Sequence, residues 1–355
     1  MRIAQSEIVN LFKWYQCPES LDKQVILPEE FLGYHRLDTI YLSYCLGNDI
    51  QNQVSEDLLK KQEEVKAKYA IYRDIAKELS ARLQKASIHH VFLKGIVLTE
   101  DIYLEPWHRY FKDLDLLVDK DNLTAVEAIL REMGYQYGFY SRSQNKICHP
   151  TREEILFQRT YTHELYKMCR MEADTFASKI DVNFLFKWRG VNNNSKTFSV
   201  SELSDHVVLR NGLARFDNVA TMMHLCCHLY NEANFFALDR NYKGGDPKEL
   251  LLIRVFDIAL LANRLADKEL DMLVLLAKQM GCIDEVVYSI GIANSLLHLD
   301  IGHSNEAFSD ISEDVFAGYY GKDQQHHIWP LSICDRVFDI EKKREAMEAL
   351  FPTHE

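Results

Sequence analysis

The apolar positions of the chain change their spacing twice, and the changes divide it into three stretches. Residues 1–50 carry short amphipathic runs broken at Pro18 and Pro28, which predicts several short helices. From about 55 to 86, Leu58, Leu59, Val65, Tyr69, Ile71, Tyr72, Ile75, Leu79 and Leu83 recur close to a helical period, with charge on the opposite face. That is one long helix. A coiled-coil partner would need strict heptads, which are missing, so the expected partner is the protein's own core.

At Ile88 the texture turns strand-like. "HVFL" is a short β-branched and apolar run, followed by Lys94-Gly95 and a helical or loop segment over 96–104. "YFKDLDLLVD" (110–119) then alternates with the period of two that a half-buried strand shows. A helix over 122–135 stops at Gly134, and two further strand-like runs cover 159–168 and 178–188. Residues 190–203 read as a loop. From about 217 the pattern is helical to the end, interrupted at 238–249 by a Gly-rich break that is a mobile loop or a connection. The expectation is an α+β fold in which a mixed sheet core (87–190) lies between an N-terminal helical region (1–86) and a C-terminal helical domain (191–355).

Composition narrows the class. The chain has 355 residues and a formal net charge of −12, which argues against a protein that coats DNA or RNA and leaves room for small anionic ligands. Its eight cysteines include no Cys-x-x-Cys pair, the usage of reduced thiols and not of a disulfide framework. The N-terminal segment lacks the features of a signal peptide and no apolar stretch approaches a membrane span, so a soluble cytoplasmic protein with no membrane partner is expected.

Asp113 and Asp115 then stand out, because they interrupt a run that otherwise wants burial. Alternate residues of a strand share a face, so the two carboxylates would lie roughly 6–7 Å apart on one side, with Leu114, Leu116 and Val118 turned to the core. Their repulsion costs a few kcal/mol at an effective dielectric of about 20. A divalent cation between them reverses the sign, and Mg²⁺ (or Mn²⁺ in its place) prefers a couple of carboxylates plus phosphate oxygens and water. Asp181, in "KIDVNFLF", joins the pair if its strand lies beside theirs. The plain alternative is an edge strand kept soluble by its acids.

The order of features resembles a known family. "FLKGIVL" and "YLEPWHRYFKDLDLLV" present Lys-Gly, a following Tyr, and Arg-x-x-x-Asp-hydrophobic-Asp, and "GYQY", "THELY", "KIDVNF", "HLCCH" and "RVFDIALL" follow in order. Over roughly residues 55–265 this is similar to the uncharacterised nucleotidyltransferases of the DNA polymerase β-like superfamily. The resemblance implies that Asp113 and Asp115 are metal ligands and that Asp181 is a third ligand or general base. It implies that Gly95 lets the backbone approach a phosphate, that Lys94 adds charge there, and that Arg109 contacts the triphosphate or pyrophosphate. Arg109 could equally pair with Glu105 or Glu100. Two departures are visible: the superfamily more often has Gly-Ser or Gly-Gly at the turn, and the group often has His where Asn183 stands.

Other candidates carry ordinary readings beside the functional ones. His224, His228 and Glu232 share one helical face, but without a His-Glu-x-x-His sequence a metal patch is the lesser reading. Contact of His228 with the nucleotide is favoured over it, since the helical part of such enzymes closes over the ligand. His163 and Asn183 would stand behind the acids, and His163 could equally be an ordinary sheet residue. Cys226-Cys227 reads as packing, and His89-His90 and His326-His327 as surface histidines. The expected activity is Mg²⁺-dependent transfer of a nucleotidyl group from a nucleoside triphosphate, ATP among the candidates, with release of pyrophosphate. The acceptor would be a small molecule, a sugar, or a peptide or protein side chain. The alternatives are sugar transfer from a nucleotide-sugar, a toxin-type enzyme acting on transfer RNA, and a non-catalytic scaffold that binds a nucleotide or partner.

Overall fold

A computed structural model describes residues 2–18, 24–141, 143–173, 176–191, 193–238, 249–302, 305–308, 311 and 313–351. The chain forms two compact units: one from residues 64–187 and 196–221, the other from 1–63, 188–195 and 222–355. The first holds the sheet and the second is helical.

Seven strands make the main sheet: β1 (His90–Leu93), β2 (Leu114–Val118), β3 (Gln136–Tyr137), β4 (Met168–Ala173), β5 (Phe176–Asn183), β6 (Val207–Arg210) and β7 (Leu213–Phe216). They lie in the order β6-β7-β1-β2-β5-β4-β3. β1 runs parallel to β7 and β2 parallel to β5, while the other neighbours are antiparallel. The expected mixed sheet with helical segments before and after it is therefore the architecture.

The period-two alternation explains how the sheet is buried. Leu114, Leu116 and Val118 of β2 and Ile180 and Val182 of β5 share one core cluster with Tyr72, Ile75, Leu79 and Leu83 of the long helix Glu56–Lys85. Leu123, Val126 and Leu130 of the helix Leu123–Glu132 complete it. Each such aliphatic side chain contributes about 1.5–3 kcal/mol on burial. The long helix thus packs on its own sheet. The shorter helix ends two residues before Gly134, whose φ of +85° is a conformation that glycine adopts without strain.

Several boundaries differ from the sequence reading. Residues 159–168 are not a strand: a helix runs Arg152–Tyr161, started by a capping box of Thr151 and Glu154, and β4 begins only at Met168. The Thr-x-x-Glu signal outweighs the apparent alternation behind it. The run 178–188 is broken after Asn183, and Phe186–Arg189 instead pairs with Ser195–Phe198 in a hairpin, so 190–203 is not simply loop. His90 is buried and not a surface residue, its ring nitrogens 3.2 Å from Ser80 Oγ and 2.9 Å from the Ile88 carbonyl. The Gly-rich break falls largely outside the described residues, at 239–248.

In the helical unit, the helices Gln5–Gln16, Leu252–Ala262 and Ile283–Leu297 supply much of the core, with Phe12 edge-on to Phe256 at 4.9 Å. Glu249 lies fully buried between Arg336 and Lys343, at 3.0 Å from each. Burial alone would raise its carboxyl, but the two cations hold it below the usual range. No helix among the described residues is long and apolar enough to cross a membrane.

Candidate active site

The register of two parallel strands builds the site. β2 and β5 pair Leu114 with Ile180 and Asp115 with Asp181, so the two carboxylates stand side by side on the face turned away from the core cluster. Asp113 lies in the bend one residue before β2. Tyr72, from the long helix, pins that bend: its hydroxyl donates to the Lys112 carbonyl at 2.5 Å and accepts from the Lys179 amide at 3.3 Å.

Two lysines flank the acids. Lys94 Nζ lies 3.5 Å from Asp115 Oδ1, and Lys167 Nζ lies 3.1 Å from Asp181 Oδ2. Lys94 holds a backbone conformation (φ 47°, ψ −122°) that a residue with a Cβ rarely adopts, and strain of this kind concentrates at functional sites. Lys167 faces Asp181 because β4 meets β5 antiparallel with Met168 opposite Ile180.

The flanking charge does not satisfy the acids. Asp181 is buried, and its Oδ1 has no hydrogen-bond partner among the described residues. Burial raises the Asp115 carboxyl to about 6; Lys94 pulls it down while Asp113 and Asp181 push it up. Asp181 is raised as well, by burial first, with Lys167 opposing and Asp113 adding to it. Even with a lysine beside each acid, the pair keeps one orphaned buried oxygen and raised carboxyls, so a further cation would be favourable there. No three His, Cys, Asp or Glu side chains among the described residues converge as a ready-made metal cage. Mg²⁺ does not need one, since one or two carboxylates suffice when phosphates and water complete its shell. Asp115 and Asp181, with Asp113 beside them, fit that donor set.

A family profile described as uncharacterised nucleotidyltransferase matches residues 34–298, most of the chain. The chain belongs to this uncharacterised nucleotidyltransferase family. The match takes in the three acids, both lysines and His228. Among solved structures, the chain is similar to an antigenic nucleotidyltransferase-like protein from Paracoccidioides brasiliensis, at 12% identity and a TM-score of 0.24 over 60% of this chain and 90% of that one. No curated protein matches it.

The other expected residues of this nucleotidyltransferase-family chain take varied places. Gly95 opens the helix Gly95–Asp101, and a Cβ there would meet the Cβ and Cγ of Phe111 at 2.9 Å. Close packing of the turn on Phe111, two residues before Asp113, therefore accounts for the glycine. Arg109 is buried and donates to the Tyr110 carbonyl at 3.0 Å, while Glu100 accepts from the Tyr69 hydroxyl at 3.0 Å. His163 is neutral at pH 7: burial first, then Lys187 and Lys94, lower it to about 4. Asn183 continues the Asp181 face and donates to the Asp181 carbonyl at a long 3.4 Å. His228 belongs to the helical unit, where its Nδ1 is 3.2 Å from Glu232, which also pairs with Arg254.

Sequence reasoning missed Lys167, Glu164 and Tyr72. Glu164 forms an isolated bridge with Asn183, and burial raises its carboxyl, with Asp115 adding to the rise. It is a fourth acid, in the field of Asp115 and Asp181. "THELY" was a visible motif, but only the register of β4 on β5 reveals that its neighbour Lys167 meets Asp181.

Proposed function

We propose that this protein is a Mg²⁺-dependent nucleotidyltransferase. The observation that carries the reading is the in-register pair of the half-buried Asp115 and the buried Asp181, mutually repelling and with Oδ1 of Asp181 unsatisfied. Asp113 and Asp115 would hold the divalent cation, Mg²⁺ or Mn²⁺, with Asp181 beside them as a third ligand or as the base. Bound there, it supplies neutralisation of the donor's phosphate charge and polarisation of the attacking oxygen.

The chain's own residues do the rest. Lys94, at the opening of the helix Gly95–Asp101, turns its ammonium from Asp115 to a donor phosphate once the acid has a better partner, and Arg109 extends the nucleotide contacts. Asp181, whose burial makes it more basic than a surface acid, takes the proton of the acceptor hydroxyl as that oxygen attacks the α-phosphorus and pyrophosphate leaves. Lys167 lies alongside to stabilise the charge that collects. Catalysis rests on positioning and charge, not on a covalent enzyme intermediate. His163 and Asn183 stand behind the acids as positioning residues.

The test is thermal stability of the wild type and of Asp115→Asn with Mg²⁺ and each of ATP, GTP, CTP and UTP. A ligand at about 100 times its Kd adds about 2.7 kcal/mol. A Mg²⁺-dependent shift for one nucleotide, absent from the variant, identifies the donor. No shift with any of the four, or an equal shift in the variant, refutes the reading and makes nucleotide-sugars the next donors to try.

A further inference from the structure

A cleft opens at the Asp113 end of the acid row. It is lined by Lys68, Tyr110, Lys112, Tyr140, Phe176 and Lys179 among others, and encloses about 120 Å³. That is the scale of a cavity that accepts one aromatic ring. Its position follows from the sheet. Ala177, Lys179, Asp181 and Asn183 alternate onto one face of β5, and with Leu114 opposite Ile180 the next step along places Lys179 level with Asp113.

The chemistry of the cleft is opposite in sign to the acid row and to the whole chain, whose net charge is −12. Lys68 reaches over the Phe176 ring at 5.8 Å, and Lys112 lies 5.9 Å from the Tyr110 ring. The nearest carboxylate to Lys68 is Glu64, at 3.9 Å one helical turn away. Lys179 has no ion-pair partner among the described residues. The Lys179 ammonium, unpaired among the described residues and beside a ring-sized space lined by Tyr110, Tyr140 and Phe176, suits a flat ring that carries a phosphate, held by stacking and charge together.

We infer that this cleft is the acceptor subsite, and that the acceptor is a ring-bearing phosphate ester. The inference rests on the acid row being the donor site. The row would neutralise the donor's phosphates through its cation, so Lys179 beyond Asp113 is surplus to the donor and serves a second anion. Lys179 shares the Asp181 face of β5, which brings the second molecule to the Asp113 end of the row.

The experiment is calorimetric titration of the full chain with phenyl phosphate in EDTA, without nucleotide. Wild type and Asp115→Asn should bind it alike, Lys179→Glu at least about tenfold more weakly, and benzyl alcohol should not bind. Lys179→Gln, which keeps the length and removes only the charge, should lie between and guards against a folding defect. Repeating the titration with Mg²⁺ and a non-hydrolysable nucleotide should leave the affinity unchanged or improved. No binding of phenyl phosphate, equal binding by Lys179→Glu, or exclusion by the nucleotide overturns the assignment. Because the first titration contains neither metal nor donor, loss of the acceptor subsite and loss of nucleotide binding are read separately.

Discussion

Replacing Asp115 by Asn should make the metal-free protein more stable above pH 7 and leave it no more stable near pH 4. In the folded chain the Asp115 carboxyl is raised to about 6 from an ordinary 3.8, by burial first, with Lys94 opposing and Asp113 and Asp181 adding to the rise. Between those values the folded state binds more protons than the unfolded chain, so stability falls as pH rises through that window. Above it, ionising Asp115 costs up to about 3 kcal/mol at about 1.4 kcal/mol per tenfold. Asn keeps the shape without the charge, and the value already includes the attraction of Lys94, so the gain is net of the lost ion pair. The chain has two units, and a whole-chain unfolding curve need not be two-state. The assay is therefore hydrogen exchange of β2 and β5 amides in EDTA at pH 5 and pH 8, corrected for intrinsic rates and read as opening free energies. Adding Mg²⁺ should then stabilise wild type and not the variant. Equal or lower protection of Asp115→Asn at pH 8 in EDTA would sink the reasoning, because the acids would then hold no repulsion for a cation to relieve.

Three further expectations follow from contacts elsewhere. Gly95→Ala should cost about 1–3 kcal/mol, since its Cβ would sit 2.9 Å from Phe111, and it should weaken Mg²⁺-dependent stabilisation as Phe111 moves the approach to Asp113; Tm with and without Mg²⁺ reads both effects. Glu249→Gln should destabilise the helical unit by about 3–5 kcal/mol, because Arg336 and Lys343 would be left as buried, unneutralised cations, and urea unfolding followed by exchange in the helix Leu252–Ala262 measures it. His35 accepts from the Leu252 amide at 3.2 Å and donates to the Val337 carbonyl at 2.9 Å, and burial, then Lys343, lower it to about 3. Its neutral form is bound, so stability is lost as pH falls through the range from 6.5 toward 3; His35→Phe should flatten that acid limb while lowering stability at pH 7 by about 2 kcal/mol, and a variant with the wild-type limb would show that another group titrates.

Much of the sheet and the long helix was legible in the sequence, because burial on one face imposes a period that local composition must obey. Leu114, Leu116 and Val118 announce β2, and the spacing from Leu58 to Leu83 announces the helix that covers it. The helix Arg152–Tyr161 was missed although Thr151 and Glu154 signal its start, since Thr160, Tyr161 and Thr162 around its end imitate alternation. The three acids were legible as candidates for a related reason: a charge inside an apolar run needs an explanation.

What no single stretch contains is which residues meet. The pairing of Asp115 with Asp181 depends on β2 and β5 lying parallel in one register, across a long connection, and a shift of one residue would turn Asp181 to the core. The same holds for Lys167 opposite Asp181 and for the lysines beside Asp113. Helices from both ends of the chain likewise belong to one unit, a grouping with no local signal. The elements, and the costly charges within them, could be read from local stretches, because secondary structure and burial are written in short-range periodicity. Which charges face one another followed from the folded sheet alone, because strand order and register are chosen by the packing of the whole sheet.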